Sequence, residues 1–155
     1  MPAVWAFKDF ANAPFDLIKC MKMAILHELV EFDAGDTNVN HVNENKFDNE
    51  LIAAKRIFSL LPNKIKDEFL DLWIKFEKKE SIEAQYVGSL DRFLPLLSNV
   101  LNQGHCWKNH NISSRRVVQI NGPAIKAGPE QIWSLTEDLI KKSISERHVK
   151  HDNNE

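Results

Sequence analysis

The chain has 155 residues, 43% of them hydrophobic and 27% charged, with a formal net charge of −2. That length suits one domain with a proper core, and the near-neutral balance gives no electrostatic reason to expect nucleic acid or an anionic membrane as a partner. Two cysteines without CxxC spacing, Cys20 and Cys106, read as reduced thiols of a cytoplasmic protein. Lys8, Asp9, Asp16 and Lys19 interrupt the start, so no signal peptide is read, and no apolar run is long enough to span a bilayer.

The elements follow in chain order. Residues 2–12 look like the end of a helix, with Val4, Trp5, Phe7 and Phe10 apolar and Trp5 a core residue. Asn12-Ala13-Pro14 breaks it, and Asp16 caps a second helix over 16–32 that is apolar on most of its circumference and wet at Lys19 and Lys22. Such a helix belongs at the centre of a bundle. A polar loop over 36–45 leads to a helix capped by Asn45 or Asp48 and ending before Pro62, with Phe47, Leu51, Ala54, Phe58 and Leu61 on one stripe. Ile65, Phe69, Leu72 and Phe76 repeat the pattern over 63–79, and a long helix over 81–102 stops at Gly104. Residues 105–128 read as an irregular connection with one short helix, in which Val117-Val118-Gln119-Ile120 is the one β-like run. Pro129 opens a last helix with Glu130 near its positive end and Ile132, Leu135, Leu139 and Ile140 on its apolar side. This divides the chain into a helical domain over 1–147 and a polar, frayed tail over 148–155, with no convincing strand: an all-α, single-domain bundle of about six to seven helices.

The run from His27 to Asp36 closes the apolar stretch Met21–Leu26 with His27, Glu28, Glu31 and Asp36, and Gly35 breaks the helix. Buried charges are normally paired, neutralised or metal-bound. His27 and Glu31 are four apart and share a face, while Glu28 lies about 100° around the helix. A lone His27–Glu31 pair would be an ordinary hydrogen-bonded core histidine; four polar groups in ten residues closing an apolar helix point to a site. Nitrogen with oxygen donors suits Mn, Co, Fe, Zn or Mg. Asp91 is the second anomaly, on a small-residue face with Ala84 and Gly88 and followed four residues on by Pro95, which removes a helix hydrogen bond to the Asp91 carbonyl. His41 could reach the same end of the bundle. His105, His110, His148 and His151 read as exposed or structural. No glycine-rich phosphate loop, GxSxG or locally partnered nucleophilic cysteine occurs.

These residues resemble the HD-domain metal-dependent phosphohydrolases, and within them the 5′-deoxynucleotidase-like branch. The similarity lies in Lys22-Met23-Ala24-Ile25-Leu26-His27-Glu28-Leu29-Val30-Glu31, Ala34-Gly35-Asp36-Thr37, Glu83-Ala84-Gln85-Tyr86-Val87 and Leu90-Asp91-Arg92-Phe93-Leu94-Pro95-Leu96-Leu97. The resemblance implies an all-α bundle around one divalent metal ion, held by His27, Glu28 and Asp91. It implies that Glu31 acts on the water or leaving group and that Asp36 orients the water or substrate, in the hydrolysis of a nucleoside 5′-monophosphate. Two departures stand out. Glu28 replaces the family's Asp, adding a methylene. No histidine precedes His27, so the family's early ligand, expected upstream of Trp5, has no match, and neither have its substrate-reading Arg and Trp. Three readings follow: a working hydrolase with water or His41 filling the missing position; a catalytically inactive or truncated HD-domain protein acting as a binding or dimerisation module; or a true start upstream of Met1. A short first helix that exposes Trp5, Phe7 and Phe10 would favour a homodimer.

Overall fold

The computed structural model describes residues 2–35 and 46–151. Among them the chain is all-α, with eight α-helices: α1 Pro2–Ala6, α2 Leu17–Ala34, α3 Lys46–Phe58, α4 Asn63–Glu77, α5 Ile82–Leu101, α6 His105–Asn109, α7 Ser114–Lys126 and α8 Glu130–Ser145. A 3-10 turn covers Lys8–Phe10, and an isolated bridge joins Ser113 to Lys150. No helix of the described residues is long and apolar enough to cross a membrane. Two compact units are distinguished, one holding α1 and the chain from Pro14 to Val87, the other Asp9–Ala13 and the chain from Gly88 onward.

In the first unit, Asp16 caps α2 as its sequence suggests, its carboxylate accepting the Lys19 N–H at 3.0 Å. Gly35, at φ 87°, ends the helix in backbone space that favours glycine. Cys20, Met23, Ala24, Leu26, His27 and Val30 form the buried side of α2 at helical spacing. They pack with α3 and α4, whose Phe58, Trp73 and Phe76 are fully buried. Each such large apolar side chain stabilises the fold by roughly 1.5–3 kcal/mol on leaving water. The opposite side of α2 corrects the expectation of a helix wet only at Lys19 and Lys22: Ile18, Met21, Ile25, Leu29 and Phe32 are exposed. Composition says how much of a helix could be buried; its neighbours decide how much is. At the start of the chain Val4, rather than Trp5, is the core residue: Val4 is fully buried, and its carbonyl accepts the Tyr86 hydroxyl at 2.8 Å, whereas Trp5 is 61% exposed.

Lys19 reaches the Glu83 carboxylate at 3.0 Å. Burial opposes ionisation of Glu83, but hydrogen bonds from Ser81 and Lys19 outweigh it and hold the carboxyl at about 2. Next to this pair, burial first and then Glu83 and Asp16 push the Cys20 thiol up to about 12. Cys106 is exposed. A thiol-specific reagent at pH 8 is therefore expected to label one cysteine in the native protein, Cys106, and two after denaturation, because only thiolates react and Cys20 forms almost none. Fast native labelling of Cys20, located by peptide mapping, would contradict this packing.

In the second unit, Asn12 clamps the α7–α8 corner, donating to the Gly128 carbonyl at 2.9 Å and accepting the Glu130 N–H at 3.0 Å. The Val117–Ile120 run lies within α7 rather than in a β-like or irregular segment. Ser113 caps this helix through the Arg116 N–H at 3.3 Å, and Ser114, Val117, Gly122 and Ile125 face inward. Helical spacing of the inward residues overrides the β preference of a three-residue branched cluster. The buried side of α8 is Ile132, Thr136, Ile140 and Ser143, leaving Leu135 43% exposed. The frayed-tail expectation is also corrected over His148–His151: Val149 is buried and the Lys150 carbonyl accepts the Ser114 N–H at 2.8 Å.

Candidate metal centre

Three helices of the first unit bring their polar residues together. From α2 come His27 and Glu31, one turn apart; from α3 come Lys46 and Glu50, also one turn apart; Glu77 is the last residue of α4. Their apolar neighbours dictate the meeting. Glu50 shares its face with Ala53, Ala54 and Phe58, so docking that face carries the carboxylate inward, where it is 4% exposed. His27 goes inward with Met23 and Val30, and its ring lies 4.7 Å from Phe76, the residue beside Glu77. Arg56 on α3 pairs with Asp33 near the end of α2.

The network is well defined. His27 Nδ1 lies 3.1 Å from Glu77 Oε1 and His27 Nε2 lies 3.6 Å from Glu31 Oε2. Lys46 Nζ bridges two carboxylates, at 3.2 Å from both Glu31 Oε1 and Glu50 Oε1. Burial raises the Glu50 pKa above its ordinary 4.5, Lys46 opposes this, and Glu77 and Glu31 add to it. Burial alone would lower the Lys46 pKa, yet Glu50 and Glu31 hold it above 10.5. Lys46 is thus the countercharge of a carboxylate cluster that water reaches in part, at Lys46 and Glu31 more than at Glu50.

The resemblance to metal-dependent hydrolases can be tested on the chemistry of these donors. A carboxylate only accepts, so Nδ1 carries the proton it gives to Glu77; in the neutral ring Nε2 then bears the lone pair. That is the arrangement in which a histidine binds metal, its second nitrogen oriented by a carboxylate. His27 therefore fits a divalent ion. Among the described residues, however, no group of three or more His, Cys, Asp or Glu side chains is placed to hold one.

Of the residues expected from the sequence, His27 and Glu31 come together. Glu28 follows on α2 and is exposed. Asp36 and His41 lie outside the described residues. Asp91, on the part of α5 that belongs to the second unit, is half-buried beside its neighbour Arg92, with Nε 3.8 Å from Oδ2. Sequence reasoning missed Lys46, Glu50 and Glu77. Glu50 did leave a signal, a carboxylate at helical spacing between Phe47 and Ala54; Lys46 and Glu77 left none.

Comparison with known proteins shows the family of the chain. The profile of the HD domain matches residues 2–133, and the chain belongs to that family. Among solved structures it is similar to a predicted metal-dependent phosphohydrolase from Magnetospirillum magnetotacticum MS-1, with a TM-score of 0.87 and 28% identity over 96% of this chain and 76% of that one. It is also 33% identical over 76 residues to 5′-deoxynucleotidase HDDC2 of Xenopus laevis. Over the same length it is 34% identical to the protein of that name in Homo sapiens. These matches take in 48% of this chain but only 38% and 37% of the two relatives. The protein is thus an all-α member of the HD-domain family.

Proposed function

We propose that this protein is a divalent-metal-dependent phosphohydrolase acting on nucleoside 5′-monophosphates, working in the cytoplasm. The observation that carries the reading is the buried His27 whose Nδ1 is engaged by Glu77 at 3.1 Å and whose Nε2 is turned toward Glu31. In this proposal the ligands are those the resemblance implies, His27, Glu28 and Asp91. The metal is Mn, Co, Fe, Zn or Mg, and when bound it supplies Lewis acidity toward the phosphoryl oxygens and lowers the pKa of water. Glu31 moves the proton: Lys46 holds Oε1 at 3.2 Å and leaves Oε2 to act on the water or the leaving group. Asp36 orients the water or substrate. Phe76 and the surrounding apolar side chains keep bulk water from His27.

A second reading has its own support. The described residues assemble no three-donor metal group, and Lys46 already supplies a positive charge among the carboxylates. On this reading the protein is a non-catalytic HD-domain module that pairs with a second copy. The exposed Ile18, Met21, Ile25, Leu29 and Phe32 on α2, with Trp5, offer the apolar surface.

One experiment separates the two. Metal analysis of the purified protein and phosphate release from deoxynucleoside monophosphates with added Mn or Co are expected to show bound metal and turnover. Absence of both, in a protein that light scattering shows to be a dimer, would establish the module instead.

A further inference from the structure

A cleft in the second unit, remote in sequence from the His27 network, has the chemistry of an anion site. It has a volume of about 420 Å³ and lies between α6, the end of α8 and the chain that follows α8. Trp107 and Val149 are buried in its wall, with Ile112 and Ile144 half-buried beside them. Lys108, Arg147 and Lys150 line it with exposed side chains, together with His148 and His151, and no carboxylate lines it. The one acidic group beside this set, Glu146, lies 3.3 Å from His148 Nδ1 and 3.8 Å from Lys142 Nζ. His148 Nδ1 is buried and makes no hydrogen bond, so the Glu146 carboxylate stands out of line with it. Among the described residues none of Lys108, Arg147 and Lys150 is ion-paired.

The cleft is built rather than incidental. Residues 147–150 are strapped back onto the unit: the His148 N–H donates to the Ser143 carbonyl at 2.8 Å and the Ser114 N–H to the Lys150 carbonyl at 2.8 Å. A side chain at Gly104 would collide with the His148 carbonyl, so the strap lies directly on glycine. Arg147 and Asn111, both lining residues, sit at φ 58° and 50°, left-handed conformations that glycine usually takes at helix ends. Keeping arginine at such a position costs conformational energy and places its guanidinium at the rim.

We propose that this cleft binds a small phosphate-bearing molecule with a planar apolar group. The phosphate is held by Arg147, Lys150 and Lys108, the first through its two-pronged guanidinium, and the ring rests on Trp107, Ile112 and Ile144. The site is independent of the proposed hydrolase reaction and uses none of its residues.

The test is a titration of the full ¹⁵N-labelled chain with benzylphosphonate, an aryl-bearing anion that a phosphatase cannot hydrolyse. Saturable shifts are expected at Lys108–Ile112, Ile144–His151 and the Trp107 indole. Inorganic phosphate, the charge without the ring, and benzyl alcohol, the ring without the charge, are each expected to bind at least tenfold more weakly. Arg147→Gln and Lys150→Gln should each weaken benzylphosphonate at least tenfold, with amide spectra unchanged elsewhere. Lys108→Gln gives a third reading should either variant lose the native spectrum, and His27→Gln should bind as the parent does. Undiminished affinity in the folded glutamine variants, equal binding of benzyl alcohol, or no saturable shift at these amides would overturn the site.

Discussion

Lys46→Met is expected to destabilise the protein markedly, and more at pH 8 than at pH 5. The substitution keeps the aliphatic stem and removes the ammonium that lies 3.2 Å from both Glu31 and Glu50. Glu50 is then a buried carboxylate facing Glu31 and Glu77 with its countercharge gone. Breaking a fully buried pair costs about 3–5 kcal/mol. Because Lys46 is 31% exposed, part of that is recovered by water, leaving about 1–3 kcal/mol. At this chain length that lowers Tm by roughly 3–10 °C.

The pH dependence follows from the direction of the Glu50 shift. Its pKa is raised on folding, so the folded state holds the proton more tightly than the unfolded chain. Its contribution is complete below the ordinary 4.5 and is lost as pH rises through the folded value. Without Lys46 that value rises further, so the deficit against wild type widens with pH. Glu83 has the opposite sign: its depressed pKa means stability is lost as pH falls from 4.5 toward about 2. It is common to both proteins and cancels in the comparison. Adding Glu50→Gln to Lys46→Met should restore most of the Tm by removing the uncompensated charge. Equal deficits at pH 5 and pH 8, or no rescue by the second substitution, would show that the cluster is not coupled as its distances indicate.

The second large effect concerns His27. His27→Gln is expected to abolish retention of a divalent ion, and with it phosphate release, while circular dichroism stays helical. The amide can still donate to Glu77 but is a poor ligand where a neutral imidazole is a good one. Glu77→Gln should act more gently. It weakens the partner that fixes the proton on Nδ1, and loss of such an orienting group lowers metal affinity by about 10–100-fold. Calorimetric titration of the chelator-treated protein with Mn or Co measures both without relying on turnover. A His27→Gln protein that binds the ion as tightly as wild type would end the assignment of His27 as a ligand. A Glu77→Gln protein that does so would reduce Glu77 to an ordinary partner of a core histidine.

Much of the architecture was readable from the residue order alone. Helical spacing of apolar positions, the cap at Asp16, the stops at Gly35 and Gly104 and the opening at Pro129 place most helices to within a few residues. Those signals are local: a cap or a glycine acts on the turn it belongs to. The same locality explains α7, where the β-branched Val117 and Val118 masked a helix whose inward residues are spaced three to five apart. It also explains α2 and Trp5, since an apolar side chain records that it could be buried and not whether anything covers it.

The site divides along the same line. His27 and Glu31 share one turn of one helix, so their meeting is a property of helical geometry, and the sequence by itself determined it together with the all-α class. The partners of that pair, Glu77, Lys46 and Glu50, stand fifteen or more residues away from it on other helices. Their arrival depends on which faces of α3 and α4 dock against α2, a choice made by Phe58, Trp73 and Phe76 and legible only in the packed structure. In the same way the exposed lysines and arginine around Trp107 were scattered surface charges in one dimension. Only the return of residues 147–150 over Gly104 gathers them, because a helix fixes its own neighbours while packing fixes everyone else's.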